Sequence, residues 1–155
     1  MRQHFIILLI LLVTYSFVNA IPHRLDKRVT TFVPCASGAG SANPITVTLQ
    51  PDPPPRGGSV IIIVSGTLNT GTIDTGSTIN FQTFDTTGSG GPIYSVDLCT
   101  LQGATCPFQT GSAFSLTFAP VPVSANLPTT YTTVIWIMDA ANTTVVACAS
   151  GTITG

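Results

Sequence analysis

Short apolar stretches separated by turn residues run through most of this chain. Ile45-Thr46-Val47-Thr48-Leu49 alternates strictly between apolar and polar, the pattern of a strand with one buried face. Pro51-Asp52-Pro53-Pro54-Pro55-Arg56-Gly57-Gly58 follows and predicts a loop, because proline cannot take part in a central ladder. Val60 to Val64 predicts a second strand, and Ile79, Phe81 and Thr83 mark one face of a third. Gly88-Ser89-Gly90-Gly91 predicts a loose turn, after which Tyr94, Val96 and Leu98 alternate into Cys99. Phe114, Leu116 and Phe118 alternate before Pro120 and Pro122. Tyr131 to Met138 predicts a long strand, Asp139-Ala140-Ala141-Asn142 a turn, and Val145 to Ile153 the final strand. Seven or eight short strands with turn signals between them predict an all-β sandwich or barrel. No linker is long enough to divide them into two domains.

Two strands depart from alternation. Val60-Ile61-Ile62-Ile63-Val64 and Val134-Ile135-Trp136-Ile137-Met138 are apolar on both parities. A sandwich buries one face of each strand, so the second face is read as covered by neighbouring loops or as scattered exposed aliphatics. A partner surface is the alternative.

Composition agrees with strands. Threonine occurs 25 times, and valine and isoleucine dominate the apolar set. No long stretch keeps the 3.6-residue period of an amphipathic helix.

The first residues change the picture of where the protein works. Arg2, the apolar stretch Phe5 to Val18, and Val18-Asn19-Ala20 form a secretory signal, residues 1–20, with cleavage after Ala20. A membrane anchor is the weaker reading, since a span needs roughly 20 apolar residues. Residues 21–28 end in Lys27-Arg28 and read as a propeptide cut at a dibasic site, with a solvated linker as the alternative. Residues 29–155 are then one domain by size. The chain is expected to be secreted, or held in the lumen of the secretory or vacuolar pathway.

Losing residues 1–28 removes both histidines, His4 and His23. One arginine, Arg56, faces five aspartates in residues 29–155, a net charge of −4. Nucleic acid is excluded as a partner, because binding it takes clustered Lys and Arg. A Ser-His-Asp triad needs a histidine that is not there. The five aspartates are scattered through loops and strand ends, so no catalytic residue is assigned and the protein is not read as an enzyme. No metal or cofactor site is assigned.

Cys35, Cys99, Cys106 and Cys148 all fall in residues 29–155, and an even count in an exported chain predicts two disulfides. Cys99 and Cys106 most easily close a small loop, which leaves Cys35 with Cys148. In a loop-entropy model the long closure is worth roughly 4–5 kcal/mol and the short one roughly 2.5 kcal/mol. Asn142-Thr143-Thr144 is the only N-x-Ser/Thr sequon and lies in a turn, so Asn142 is a candidate glycosylation site.

An ordered set of short signals runs from Cys35 to the C-terminus. It comprises Cys35 before Ile45-Thr46-Val47, Pro51-Asp52-Pro53-Pro54 with Gly57, Ser65-Gly66-Thr67-Leu68, and Ile73 with Gly76. Asp97-Leu98-Cys99, Cys106-Pro107-Phe108 with Gly111, Leu127-Pro128 before Tyr131, and Cys148 in the last strand complete it. This set resembles the ML family, the MD-2-related lipid-recognition domains. Its nearest look is to the fungal phosphatidylglycerol/phosphatidylinositol transfer proteins and the Niemann-Pick C2-like sterol carriers.

The resemblance implies an immunoglobulin-like antiparallel β-sandwich with an apolar cavity between its sheets. It supports the pairing of Cys35 with Cys148 and Cys99 with Cys106. It implies a lipid ligand (sterol, phospholipid or fatty acid), transient membrane contact, and a monomer, with a dimer as the alternative. Val64, Phe81, Leu98, Phe114, Leu116, Phe118, Tyr131 and Ile135 are expected to line the cavity. Phe108 is expected at its mouth and Trp136 at its flank. The rival class is a structural or self-associating cell-wall or matrix sandwich with no ligand.

Overall fold

The computed structural model describes residues 29–36 and 43–155. The expected signal and propeptide, with Ala20, Lys27 and Arg28, lie outside them. Eight strands form: β1 (Phe32–Pro34), β2 (Ile45–Gln50), β3 (Ser59–Thr67), β4 (Thr78–Phe84), β5 (Tyr94–Asp97), β6 (Ala113–Pro122), β7 (Thr130–Met138) and β8 (Val145–Thr154). The one helical element among the described residues is a 3-10 turn at Leu98–Thr100. No helix among the described residues is long and apolar enough to cross a membrane.

The strands make two antiparallel sheets, one ordered β1-β8-β7-β4-β5 and the other β2-β3-β6. This is the predicted immunoglobulin-like sandwich. Its core is the set of inward positions that strand alternation selects: Ile45, Val47 and Leu49 of β2, Val60, Ile62 and Val64 of β3, and Ile135 and Ile137 of β7. The two all-apolar strands therefore do choose a parity. Ile61 stays exposed and Ile63 half-buried on the outer face, while Val134, Trp136 and Met138 are half-buried on the outer face of the larger sheet.

Strand β6 runs on through Pro120 and Pro122, past the predicted end at Phe118. The register against β3 shifts between Val60 and Ile62, which pair with Val121 and Phe118. The bulge lets Phe118 and Val121, three residues apart, both face inward. The prolines are tolerated because β6 is an edge strand.

Both predicted disulfides are present, Cys35–Cys148 with Cα atoms 5.5 Å apart and Cys99–Cys106 at 5.7 Å. The first ties β1 to β8. The second closes a loop that reaches across to the free edge of β6, where the Thr117 amide donates to the Gln102 carbonyl. Gly103 makes this approach possible: its φ is +91°, and a Cβ there would lie 2.3 Å from the Ser115 carbonyl oxygen. We call this the loop end of the sandwich.

Asn43, which pattern alone did not single out, locks the same end. Its Nδ2 donates to the carbonyls of Thr70 and Val146, and its Oδ1 accepts from the amides of Asn69 and Thr70. One buried amide thus joins the start of β2, the β3–β4 connection and the start of β8.

Candidate functional site: the open edge between the sheets

At the centre of the sandwich the inner faces are in contact. Ile62, Val64, Leu116, Ile135 and Ile137 are each 0 % exposed, so no water-sized space lies against them. The open apolar cavity expected between the sheets is filled instead by branched aliphatic side chains of the two facing sheets.

The space reappears at one edge. β5 and β6 face each other from different sheets and share no ladder. Near the loop end the Cys99–Cys106 loop spans them. Toward the opposite end they are bridged by side chains, with the Tyr94 ring 5.6 Å from that of Phe118. Beside this pair lies a cleft of about 70 Å³ lined by Phe81, Thr83, Pro92, Ile93, Tyr94, Pro122 and Ser124. Its rim is apolar and in water: Ile93 is 57 % and Tyr94 37 % exposed. Phe81 and Thr83 at its floor belong to the inner face of β4. We call this the cleft end.

The residues expected at the site divide into three groups. Val64, Phe81, Phe114, Leu116, Phe118, Tyr131 and Ile135 all stand on the inner faces and are buried. Leu98 and Phe108 are buried in loops at the loop end. Phe108 exchanges two backbone hydrogen bonds with Ile73, and its ring lies 5.9 Å from that of Phe114. It stands at the end away from the cleft. Trp136 is opposite Asn80 and Cys148 in register, on the outer face of the larger sheet. It alternates with the inward Ile135 and Ile137, and the expectation that it flanks the cavity is corrected.

Tyr94, Ile93, Pro92 and Pro122 were not expected at the site. Their exposure at an edge arises from which strands face each other across the sandwich, and no local pattern carries that. Thr133 was also missed, although a threonine at the inward parity of Tyr131-x-Thr133-x-Ile135-x-Ile137 is a visible signal.

The inner face is not wholly apolar at the cleft end. Thr83 and Thr133 are register partners, and Tyr131 follows Thr133 on the same face of β7. The Tyr131 Oη and Thr133 Oγ1 are buried and have no hydrogen-bond partner. Burial pushes the Tyr131 hydroxyl above the usual phenol range. The positive charge of Arg56 pulls it the other way, and the negative charge of Asp52 adds to the rise.

The aspartates act locally. Asp52, buried, accepts the amide and hydroxyl of Thr30, each at 2.6 Å. Asp97 caps the 3-10 turn by accepting the Cys99 amide, and Asp74 accepts the Thr72 hydroxyl. Asp85 lies below the ordinary carboxylate range, chiefly because the Thr87 hydroxyl and then the Ser89 amide donate to it. Asp139 is lowered by the amides of Thr143 and Thr144.

A larger groove, of about 590 Å³, lies elsewhere, on the outer face where β1 meets β8. Its lining is Val29, Val33 and Gly151 among threonines and a serine. A hydroxyl-lined open surface offers an acyl chain little shelter from water, so the edge between β5 and β6 is the better candidate despite its smaller volume.

No curated protein sequence matches the chain. Among solved structures, chicken MD-1 complexed with lipid IVa is similar over 79 % of this chain and 87 % of its own, with 14 % identity and a TM-score of 0.49. The family model for the ML domain matches residues 29–154, from just after Lys27-Arg28 to the end of β8. The chain belongs to the ML domain family.

Proposed function

We propose that this protein is a secreted lipid-binding and lipid-transfer protein. It holds a sterol, phospholipid or fatty acid between its two sheets, admitted by the edge between β5 and β6. Membership of the ML domain family supports the ligand class. The observation that carries the route is the cleft: an apolar, water-exposed rim leading to the inner faces, closed by one ring pair and not by a backbone ladder. Entry requires Tyr94 to leave Phe118 and the sheets to part, exchanging side-chain contacts for contacts with the ligand. Each methylene moved from water into such a core gains about 0.8 kcal/mol, but one moved from a bilayer gains little. The protein therefore works by docking transiently and matching a chain in shape, with Pro92, Ile93 and Tyr94 touching the membrane.

Residues 1–28 are removed in this reading, by signal cleavage after Ala20 and then a cut after Arg28. The start of the family match at residue 29 supports it, as does the seating of Thr30 on Asp52. Asn142 is exposed in the β7–β8 turn and suits a glycan. N-terminal sequencing should begin at Val29, and endoglycosidase should lower the mass.

The filled core favours a second reading, a structural module without a ligand. Lipid extraction from protein purified out of its own secretion host separates the two. A stoichiometric lipid is the expected result. An empty protein that also takes up no fluorescent fatty acid or sterol overturns the lipid reading.

A further inference from the structure

The two unpartnered hydroxyls bear on how a ligand sits. Tyr131 is 3 % and Thr133 0 % exposed, and both project from the inner face of β7 at its cleft end. Neither finds a partner among the described residues, which is uncommon for buried side-chain polar atoms. Across the ladders, Thr133 has Gly151 on one side and Thr83 on the other, and Thr83 lines the cleft. A polar group arriving through the cleft meets Thr83 first and the two buried hydroxyls behind it.

We propose that this patch seats the uncharged hydroxyl of an amphiphile, polar end inward, hydrogen-bonded to Thr133 and Tyr131. The inference rests on the lipid-binding reading and narrows it to a ligand with a hydroxyl head on an apolar body. A charged head does not fit. A buried carboxylate or phosphate needs a paired cation, and the only fixed cation of residues 29–155 is Arg56, which is exposed. The field of Arg56 at Tyr131 is opposed by that of Asp52. A neutral hydroxyl both donates and accepts, so it satisfies two hydroxyls at once. The apolar body then extends along the inner faces toward Phe118 and Leu116.

The test is displacement of the neutral fluorescent probe N-phenyl-1-naphthylamine by 1-hexadecanol, cholesterol and palmitate. The proteins are the secreted wild type and the variants Thr133→Val and Tyr131→Phe. Both substitutions nearly conserve shape and remove an unpartnered hydroxyl, so the urea midpoint should not fall. At least one hydroxyl ligand should displace the probe at about tenfold lower concentration than palmitate, and each variant should reduce that advantage about tenfold. Whichever of hexadecanol and cholesterol competes identifies the apolar body. The variants should weaken the alcohols more than they weaken palmitate or the probe. Variants that bind the alcohols as wild type does, or a preference for palmitate, overturn the polar seating and leave lipid binding intact. A wild type that binds neither probe nor lipid overturns the underlying reading as well.

Discussion

Phe108→Ala separates a core role from a mouth role for the Cys106-Pro107-Phe108 segment. Phe108 is 4 % exposed, packs on Phe114 and is fixed by its backbone pairing with Ile73. Removing a buried phenylalanine costs about 3–5 kcal/mol. The lost ring pair accounts for about 0.5–1.5 kcal/mol of that. Set against a total stability on the order of 5–15 kcal/mol, the loss is large but survivable. With a urea dependence of about 2 kcal/mol per molar, the midpoint should fall by roughly 1.5–2.5 M. The assay is a urea titration with both disulfides intact, followed by lipid uptake in buffer alone. The folded fraction should take up lipid as wild type does, because the cleft lies at the other end of the sandwich. An unchanged midpoint with lost uptake would refute the core role and put Phe108 at the mouth.

Tyr94→Ala removes the ring that rests on Phe118, so uptake should accelerate in stopped-flow traces while stability falls by only about 0.5–1.5 kcal/mol. Slower uptake would place entry elsewhere. Asn43→Ala breaks four hydrogen bonds at the loop end and should cost about 2–4 kcal/mol in chemical denaturation. Asp85 and Asp139 have carboxyls lowered by their turns. Their contribution is therefore complete above about pH 4, the unfolded value, and lost as pH falls through the lower folded value. Wild type should lose more of its urea midpoint between neutral and acid pH than the Asp85→Asn, Asp139→Asn double variant. Equal losses would show that the turn bonds do not titrate with folding.

Much of this fold is legible in the chain because burial in a sandwich obeys a period of two. β2 announces its inner face outright, and the two cysteine pairs follow from loop length and family resemblance together. The misses have identifiable causes. β1 has three residues, one of them proline, too few to show alternation. β6 changes parity at its bulge, so the pattern stops at Phe118 although the strand does not. Trp136 stands in a run apolar on both parities, where only the register reveals the outer face. The inward parity of the aliphatics and aromatics expected at the site followed from alternation. The cleft did not, since it depends on two edge strands distant in sequence meeting across the sandwich. Phe108 was ambiguous in the chain, because a rigid aromatic loop serves a mouth or a core equally well until its neighbours are known.

The central claim is that a lipid enters between the sheets. Methyl NMR of the protein with a bound, isotopically filtered lipid tests it most directly. The account predicts intermolecular contacts from the lipid to the methyl groups of Val64, Leu116 and Ile135 on the inner faces, with Ile93 contacted at the cleft. It predicts none to Ile61 or Val33, which lie exposed on the outer faces. Contacts confined to Val33 and its neighbours in the outer groove, with the inner methyl groups untouched, would contradict it.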